Sequence, residues 1–133
     1  MRRYLLDTNT VSDVLKAHPQ VLARLTAQAI GSVAISVITE AELRFGLAKR
    51  PQARGLHHAV EALLQRLEIL PWTRDCAPVY GELRARLMQR GKPLAALDLL
   101  IAAQALATDR ILVSRDQDFL RVPQLLHEDW SAA

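Results

Sequence analysis

Arg3-Tyr4-Leu5-Leu6-Asp7-Thr8-Asn9-Thr10 reads as a short strand that runs out on a carboxylate. Tyr4, Leu5 and Leu6 form a continuous apolar run, the pattern of a strand buried on both faces. Asp7 stands where that run ends. Thr8, Asn9 and Thr10 are residues that open helices. In open parallel sheets, ligands and reacting groups collect outside the carboxyl ends of the strands. The first acid of the chain is therefore placed where chemistry is usually done.

Working outward, the same strand-then-helix pattern recurs. A helix follows through Val11, Val14 and Leu15 and stops before Pro19. Gln20 to Ile30 carries Val21, Leu22, Leu25 and Ala29 at helical spacing, with Gly31 to end it. Val33 to Ser36 is a second buried strand and leads straight into a helix from Val37 to Arg50, closed by Pro51. Helix 52–67 places Leu56, Val60, Leu63, Leu64 and Leu67 on one side, and Glu68-Ile69-Leu70 is a third strand. Helices follow at Arg74 to Gln89 and Leu94 to Ala107, then a fourth strand, Ile111 to Ser114. Arg115 to Phe119 is a loop or a single turn, and Leu125-Leu126-His127 is a short last strand. Alternation of strands and helices predicts an α/β fold with a small parallel sheet and helices on both sides. Residues 1–133, without a linker or repeat, form one domain.

Composition narrows the setting. Cys76 is the single cysteine, so no intramolecular disulfide forms, which fits a reducing cytoplasm. No apolar run is long enough to span a membrane, and Tyr4 to Leu6 is too short for the apolar core of a signal peptide. The net charge of +3 is modest. With Asp7, Glu42, Asp98 and Asp116 set aside as a site, 17 basic side chains face 10 acidic ones, a balance of +7 that suits a polyanionic substrate.

Each acid has a plain alternative. Asp7 is a ready helix N-cap, although Asn9 or Thr10 could cap equally well and leave it free. Glu40 and Glu42 lie two apart on one helix and face opposite ways, so only one of them points at the sheet end. Asp98 interrupts Leu94-Ala95-Ala96-Leu97-Asp98-Leu99-Leu100-Ile101-Ala102-Ala103, where an unpaired carboxylate is costly to bury; its alternative is an acid favoured by the helix dipole. Asp116 and Asp118 follow the fourth strand and could simply shape a turn. The set says more than its members. Two like charges ~4 Å apart cost about 4 kcal/mol at an effective dielectric of 20. Gathered carboxylates therefore take up protons or hold a cation, and all-oxygen sites suit Mg²⁺ or Mn²⁺. Such a metal would activate water for displacement at phosphorus.

Other chemistries lack their residues. There is no phosphate-binding glycine loop and no Gly-x-Ser-x-Gly. His18, His57, His58 and His127 have no zinc spacing. Cys76 reads as a packing residue, and His57 and His58 as solvent-facing.

Four blocks together resemble a known family. Leu5-Leu6-Asp7-Thr8-Asn9 resembles the opening of the PIN-domain nucleases. Ile35 to Gly46 is similar to their S-x-x-x-x-A-E-L-x-x-G block, and Asp98 to Leu106 to their D-x-x-I-A-A-x-A-L helix. Leu112-Val113-Ser114-Arg115-Asp116-Gln117-Asp118-Phe119 resembles the closing block. The likeness extends to about Leu126, and the Ala-Glu-Leu-Arg-Phe-Gly wording looks most like the VapC toxins of type II toxin–antitoxin pairs.

That resemblance implies a PIN-like three-layer α/β/α fold with a mainly parallel sheet of four to five strands. It implies that Asp7, Glu42, Asp98 and Asp116 are the catalytic, metal-holding acids, preferring Glu42 to Glu40 and Asp116 to Asp118. Ser114, with Thr8 or Asn9, would help hold the site. The expected activity is a Mg²⁺- or Mn²⁺-dependent endoribonuclease leaving 5′-phosphate and 3′-hydroxyl ends. A VapB-like antitoxin would lay its tail, with an Arg or Lys, across the acidic pocket. A homodimer, or a larger complex with antitoxin, is implied, with the helix pair 37–67 as the dimer and antitoxin surface. Arg44, Lys49, Arg50, Arg54 and Arg66 on that pair could instead meet RNA backbone or simply be solvated. Three rivals stand beside this: a PIN nuclease of RNA processing without an antitoxin, a non-catalytic binding module, and a receiver-like module. The last would need a lysine after a late strand, where Val113-Ser114-Arg115 has none.

Overall fold

The computed structural model describes residues 2–29 and 31–132. Its elements run β1 (Tyr4–Leu6), α1 (Thr8–Leu15), α2 (Pro19–Thr26), β2 (Val33–Ser36), α3 (Val37–Ala48), α4 (Arg54–Arg66), β3 (Glu68–Leu70), α5 (Cys76–Gln89), α6 (Ala96–Ala107), β4 (Ile111–Val113), a 3-10 turn (Gln117–Arg121) and β5 (His127–Glu128). The strands form one five-stranded sheet in the order β3-β2-β1-β4-β5, and every pairing is parallel.

The central strand is the one quoted first. Leu6 pairs with Ile35 of β2 on one side and Val113 of β4 on the other. Its side chains alternate between two cores. Tyr4 and Leu6 join Val33, Ile35 and Val113 against α1 to α4. Leu5 joins Ala34 and Leu112 against α5 and α6. Both faces are covered, which is why these strands read as unbroken apolar runs rather than as alternating ones. Each fully buried Leu or Ile contributes about 1.5–3 kcal/mol, and Leu5, Leu6 and Ile35 are all completely buried.

Chain order explains the two layers. The path from β1 through β2 to β3 steps outward in one direction. The connection through α5 and α6 then crosses back to the other side of β1. Strand order reverses at β1, and in open α/β sheets such a switch point is where the binding crevice lies, at the carboxyl ends of the strands.

Several boundaries differ from the sequence reading. Pro19, expected only to stop the first helix, is the first residue of α2, where its missing N–H is harmless. The described part of that helix ends at Thr26, and Ile30, assigned to it from periodicity, lies outside the described residues. Met1 lies outside them too. The last strand is His127–Glu128, two residues later than expected. Leu126 is 62 % exposed, whereas Trp130, 1 % exposed, closes the core edge-on against Tyr4 at 5.1 Å. Cys76 is buried, as its packing role requires. Among the described residues no helix is long and apolar enough to cross a membrane.

Candidate active site

Asp7 follows β1 at the crevice and is 2 % exposed. Its backbone N–H donates to Val113 O (3.1 Å), continuing the sheet one residue past the strand. Its Oδ1 accepts from Thr10 N at 2.8 Å, so it does cap α1. Neither alternative cap takes that job. Thr10 turns its hydroxyl to Val113 O (3.0 Å), and Asn9 is exposed. Burial raises the Asp7 carboxyl above its ordinary 3.8; Ser114 and Thr10 lower it by hydrogen bonding, and Asp116 raises it further.

Glu42 and Glu40 are separated by their partners. Ser36 caps α3 through its hydroxyl, accepting from Ile38 N at 3.0 Å, and Glu42 lies in the second turn. Thr8 Oγ1 donates to Glu42 Oε1 at 2.7 Å, which ties α3 to the start of α1 beside Asp7. Glu40 turns the other way, to Arg44 (3.0 Å), and Arg44 reaches on to Glu61 of α4 (2.6 Å). It belongs to a surface ion network, not to the crevice.

Asp98 sits in the first turn of α6, which approaches the crevice from the opposite face of the sheet. Its pKa is pushed from 3.8 to about 6, by burial first and then by the negative charges of Asp116, Asp7, Glu42 and Asp118. The acids of the other three motifs thus lie near enough to Asp98 to oppose its charge. Asp116 follows β4 and caps the 3-10 turn, accepting from Asp118 N (2.9 Å), while its own N–H donates to the buried Ser114 Oγ (2.9 Å). Asp118 is exposed and paired with Arg121 at 3.2 Å. It ranks last among the charges acting on Asp98.

Asp13 was missed in the sequence. It is buried on α1 and pairs with Arg115 at 3.4 Å, which fixes the residue preceding Asp116. A polar residue where α1 should turn apolar inward was the available signal.

The donor set is all oxygen and carries several negative charges, which suits a hard divalent cation. Among the described residues no three His, Cys, Asp or Glu side chains are arranged to enclose an ion. Asp7, Glu42 and Asp116 are each tied by one oxygen to a local N–H or hydroxyl. Such spread carboxylates fit Mg²⁺, which binds through one or two carboxylates and keeps several waters. Asp7, Glu42, Asp98 and Asp116 are the residues that would hold it.

The PIN domain family model matches residues 4–125. Ribonuclease VapC2 of Rickettsia felis is 35% identical, over 96% of this chain and 97% of its own length. The tRNA(fMet)-specific endonuclease VapC of Salmonella typhimurium is 30% identical, over 98% of this chain and 99% of its own. Among solved structures, DNA-bound VapBC from Salmonella typhimurium superposes with a TM-score of 0.90 at 31% identity, covering 98% of this chain and 99% of that one.

Proposed function

The chain belongs to the PIN domain family, and from that premise we propose that it is a VapC-type endoribonuclease, the toxin of a toxin–antitoxin pair acting in the cytoplasm. The observation that carries this reading is at Asp98, whose pKa is raised to about 6 by burial first and then by the nearby charges of Asp116, Asp7 and Glu42. Near-full-length relatives named as ribonucleases support it.

Asp7, Glu42, Asp98 and Asp116 are the acids from which Mg²⁺ or Mn²⁺ would take its protein ligands, and a metal there would supply Lewis acidity for displacement at phosphorus. The chain's own work is placement. Thr10 N–H holds Asp7, Thr8 holds Glu42, and the Ser114–Asp116–Asp118 hydrogen bonds hold the loop after β4. With the acids fixed before substrate arrives, little reorganisation is needed at the moment of reaction. Hydrolysis breaks the P–O3′ bond and leaves 5′-phosphate and 3′-hydroxyl ends.

A VapB-like antitoxin is the proposed partner, since the solved relatives include VapBC complexes. The helix pair α3–α4 is its proposed seat and the surface for a homodimer. A groove of about 300 Å³ runs along α1, α3 and α4, with Leu15, Leu43, Leu47, Leu56 and Val60 in its walls and Glu42 at one side. Phe45 projects beside it, 64 % exposed, with Lys49 over its ring at 4.7 Å.

Purified protein should cut total cellular RNA into discrete fragments with Mg²⁺ and leave it intact with EDTA. Fragments unaffected by EDTA would remove the metal from this reading. On a defined RNA, Glu42→Gln should lower the initial rate by on the order of 1,000-fold, the equivalent of several kcal/mol of lost charge stabilisation. Glu40→Gln and Asp118→Asn should stay within about threefold of native, because each faces a surface arginine. Equal losses at Glu40 and Glu42 would mean that α3 presents the wrong acid.

A further inference from the structure

A second cavity borders α6, the helix that carries Asp98. It measures about 500 Å³ and is lined by α5 from Tyr80 to Met88, the connection 90–95 and the first turn of α6. Tyr80, Leu87, Met88, Leu94 and Leu99 give it apolar walls, and Arg84 stands at its side. Ala96 and Leu99 of α6 both line it, and Asp98 lies between them in sequence. The cavity and the acid crevice therefore share the first turn of one helix, a length of about 5.4 Å along its axis.

Its walls are held in place. Trp72 packs edge-on to Tyr80 at 6.1 Å and anchors itself by donating from Nε1 to Leu100 O at 3.0 Å. Arg84 donates to Tyr80 Oη at 3.2 Å. Arg121, paired with Asp118 on the acid side, donates to Pro93 O at 3.2 Å and so joins the two sites. Arg84 lines the cavity, and Arg90 and Lys92 lie on the connection that borders it; all three are exposed, and none is ion-paired among the described residues.

An apolar slot ringed by cations, next to carboxylates suited to a metal, matches the parts of a nucleotide: base, flanking phosphate, scissile phosphate. We propose that this cavity is a nucleobase subsite, taking the base beside the scissile bond while Arg84, Arg90 and Lys92 meet the RNA backbone. The inference rests on the ribonuclease reading and gives that site its sequence preference. A second copy of the chain is the other candidate occupant, since Met88 is 62 % exposed. A two-fold interface uses the same patch twice and would set this cationic rim against itself. A polyanion has no such conflict.

The test compares native protein with Met88→Trp, which fills the cavity mouth from an exposed position, and Arg84→Ala. Arg74→Ala, just before α5 at its far end, controls for loss of charge. Fragment ends from a mixed RNA pool give base enrichment around the cut, and a defined RNA gives kcat and KM. Native fragments should be enriched in one base at a flanking position. Met88→Trp should abolish that enrichment. Arg84→Ala should raise KM about tenfold with kcat within threefold, and Arg74→Ala should change neither. The subsite is overturned by native fragments without enrichment, or by Met88→Trp with enrichment kept and kcat/KM within twofold. Loss of a dimer in sedimentation with enrichment unchanged also overturns it, and assigns the face to a second copy. If native protein cuts no RNA, the ribonuclease reading fails, and anisotropy with a labelled single-stranded RNA in EDTA decides the subsite alone. Binding weakened tenfold by the Met88→Trp/Arg84→Ala pair keeps it; unchanged or absent binding overturns it.

Discussion

Asp98→Asn should cut RNA on the order of 1,000-fold more slowly than the native protein, yet melt at a higher temperature in metal-free buffer. The two effects have one cause. Burial penalises the charge of Asp98 most, and the charges of Asp116, Asp7, Glu42 and Asp118 add repulsion. Removing its charge withdraws a proposed metal ligand, worth several kcal/mol in the transition state. It also removes a crowded carboxylate from the apoprotein. The pH dependence follows from a pKa raised from 3.8 to about 6 in the folded chain. Below the lower value both folded and unfolded chains hold the proton, and Asp98 has no effect on stability. Between the two values the folded chain keeps a proton that the unfolded chain has lost, so stability declines as pH rises. Above about pH 6 the full penalty stands, on the order of 1 kcal/mol once solvent screening at this half-buried group is allowed for. Thermal melts with EDTA at pH 5 and pH 7.5 check this. The native midpoint should fall between them by a few degrees more than that of Asp98→Asn. A lower midpoint for Asp98→Asn at pH 7.5 would count against crowding, and retained cleavage would remove Asp98 from the site.

Asp7 offers the sharper separation of fold from function, because it has two duties. It caps α1 through one oxygen and contributes charge to the crevice. Asn keeps an amide oxygen that can accept from Thr10 N–H, so Asp7→Asn should fold with a midpoint at or above native and lose cleavage on the order of 1,000-fold. Ala keeps neither duty. It strands the N–H of buried Thr10, so Asp7→Ala should be less stable than Asp7→Asn by about 1–2 kcal/mol. Equal melting midpoints for the two variants would show that the cap contributes nothing. Full activity in Asp7→Asn would show that the charge is not used.

The parallel core was legible because burial on both faces leaves a local mark. Tyr4 to Leu6, Val33 to Ile35 and Ile111 to Val113 are apolar at consecutive positions, and no partner need be known to see it. The last strand was misplaced because Leu125 and Leu126 carry the same mark for a different reason. Leu125 packs half-buried against the core beneath α5 and α6 and Leu126 is exposed, while the edge pairing runs from His127 to Glu128, whose polar side chains leave no apolar mark. Asp7 and Asp98 stood out by interrupting apolar runs. Periodicity could not choose between Glu40 and Glu42. What separates them is Thr8, 34 residues away, and Arg44 with Glu61 across α3 and α4. Family resemblance supplied that choice. Asp13 passed unnoticed because its ion pair with Arg115 spans most of the chain.

The central strand has a consequence for how the protein is made. β1 is synthesised well before one of its two neighbours, β4, which begins at Ile111. At about 5–20 residues per second, a ribosome takes roughly 5–20 s to supply that neighbour. Until then the Asp7 N–H and the Thr10 hydroxyl lack their shared acceptor, Val113 O, and Asp116 does not exist. Long-range pairing of this kind also closes late in folding. A nascent chain, or one cut short before β4, thus cannot assemble the acid crevice. Any action of a given molecule on RNA therefore begins only after β4 and the loop that carries Asp116 have been made.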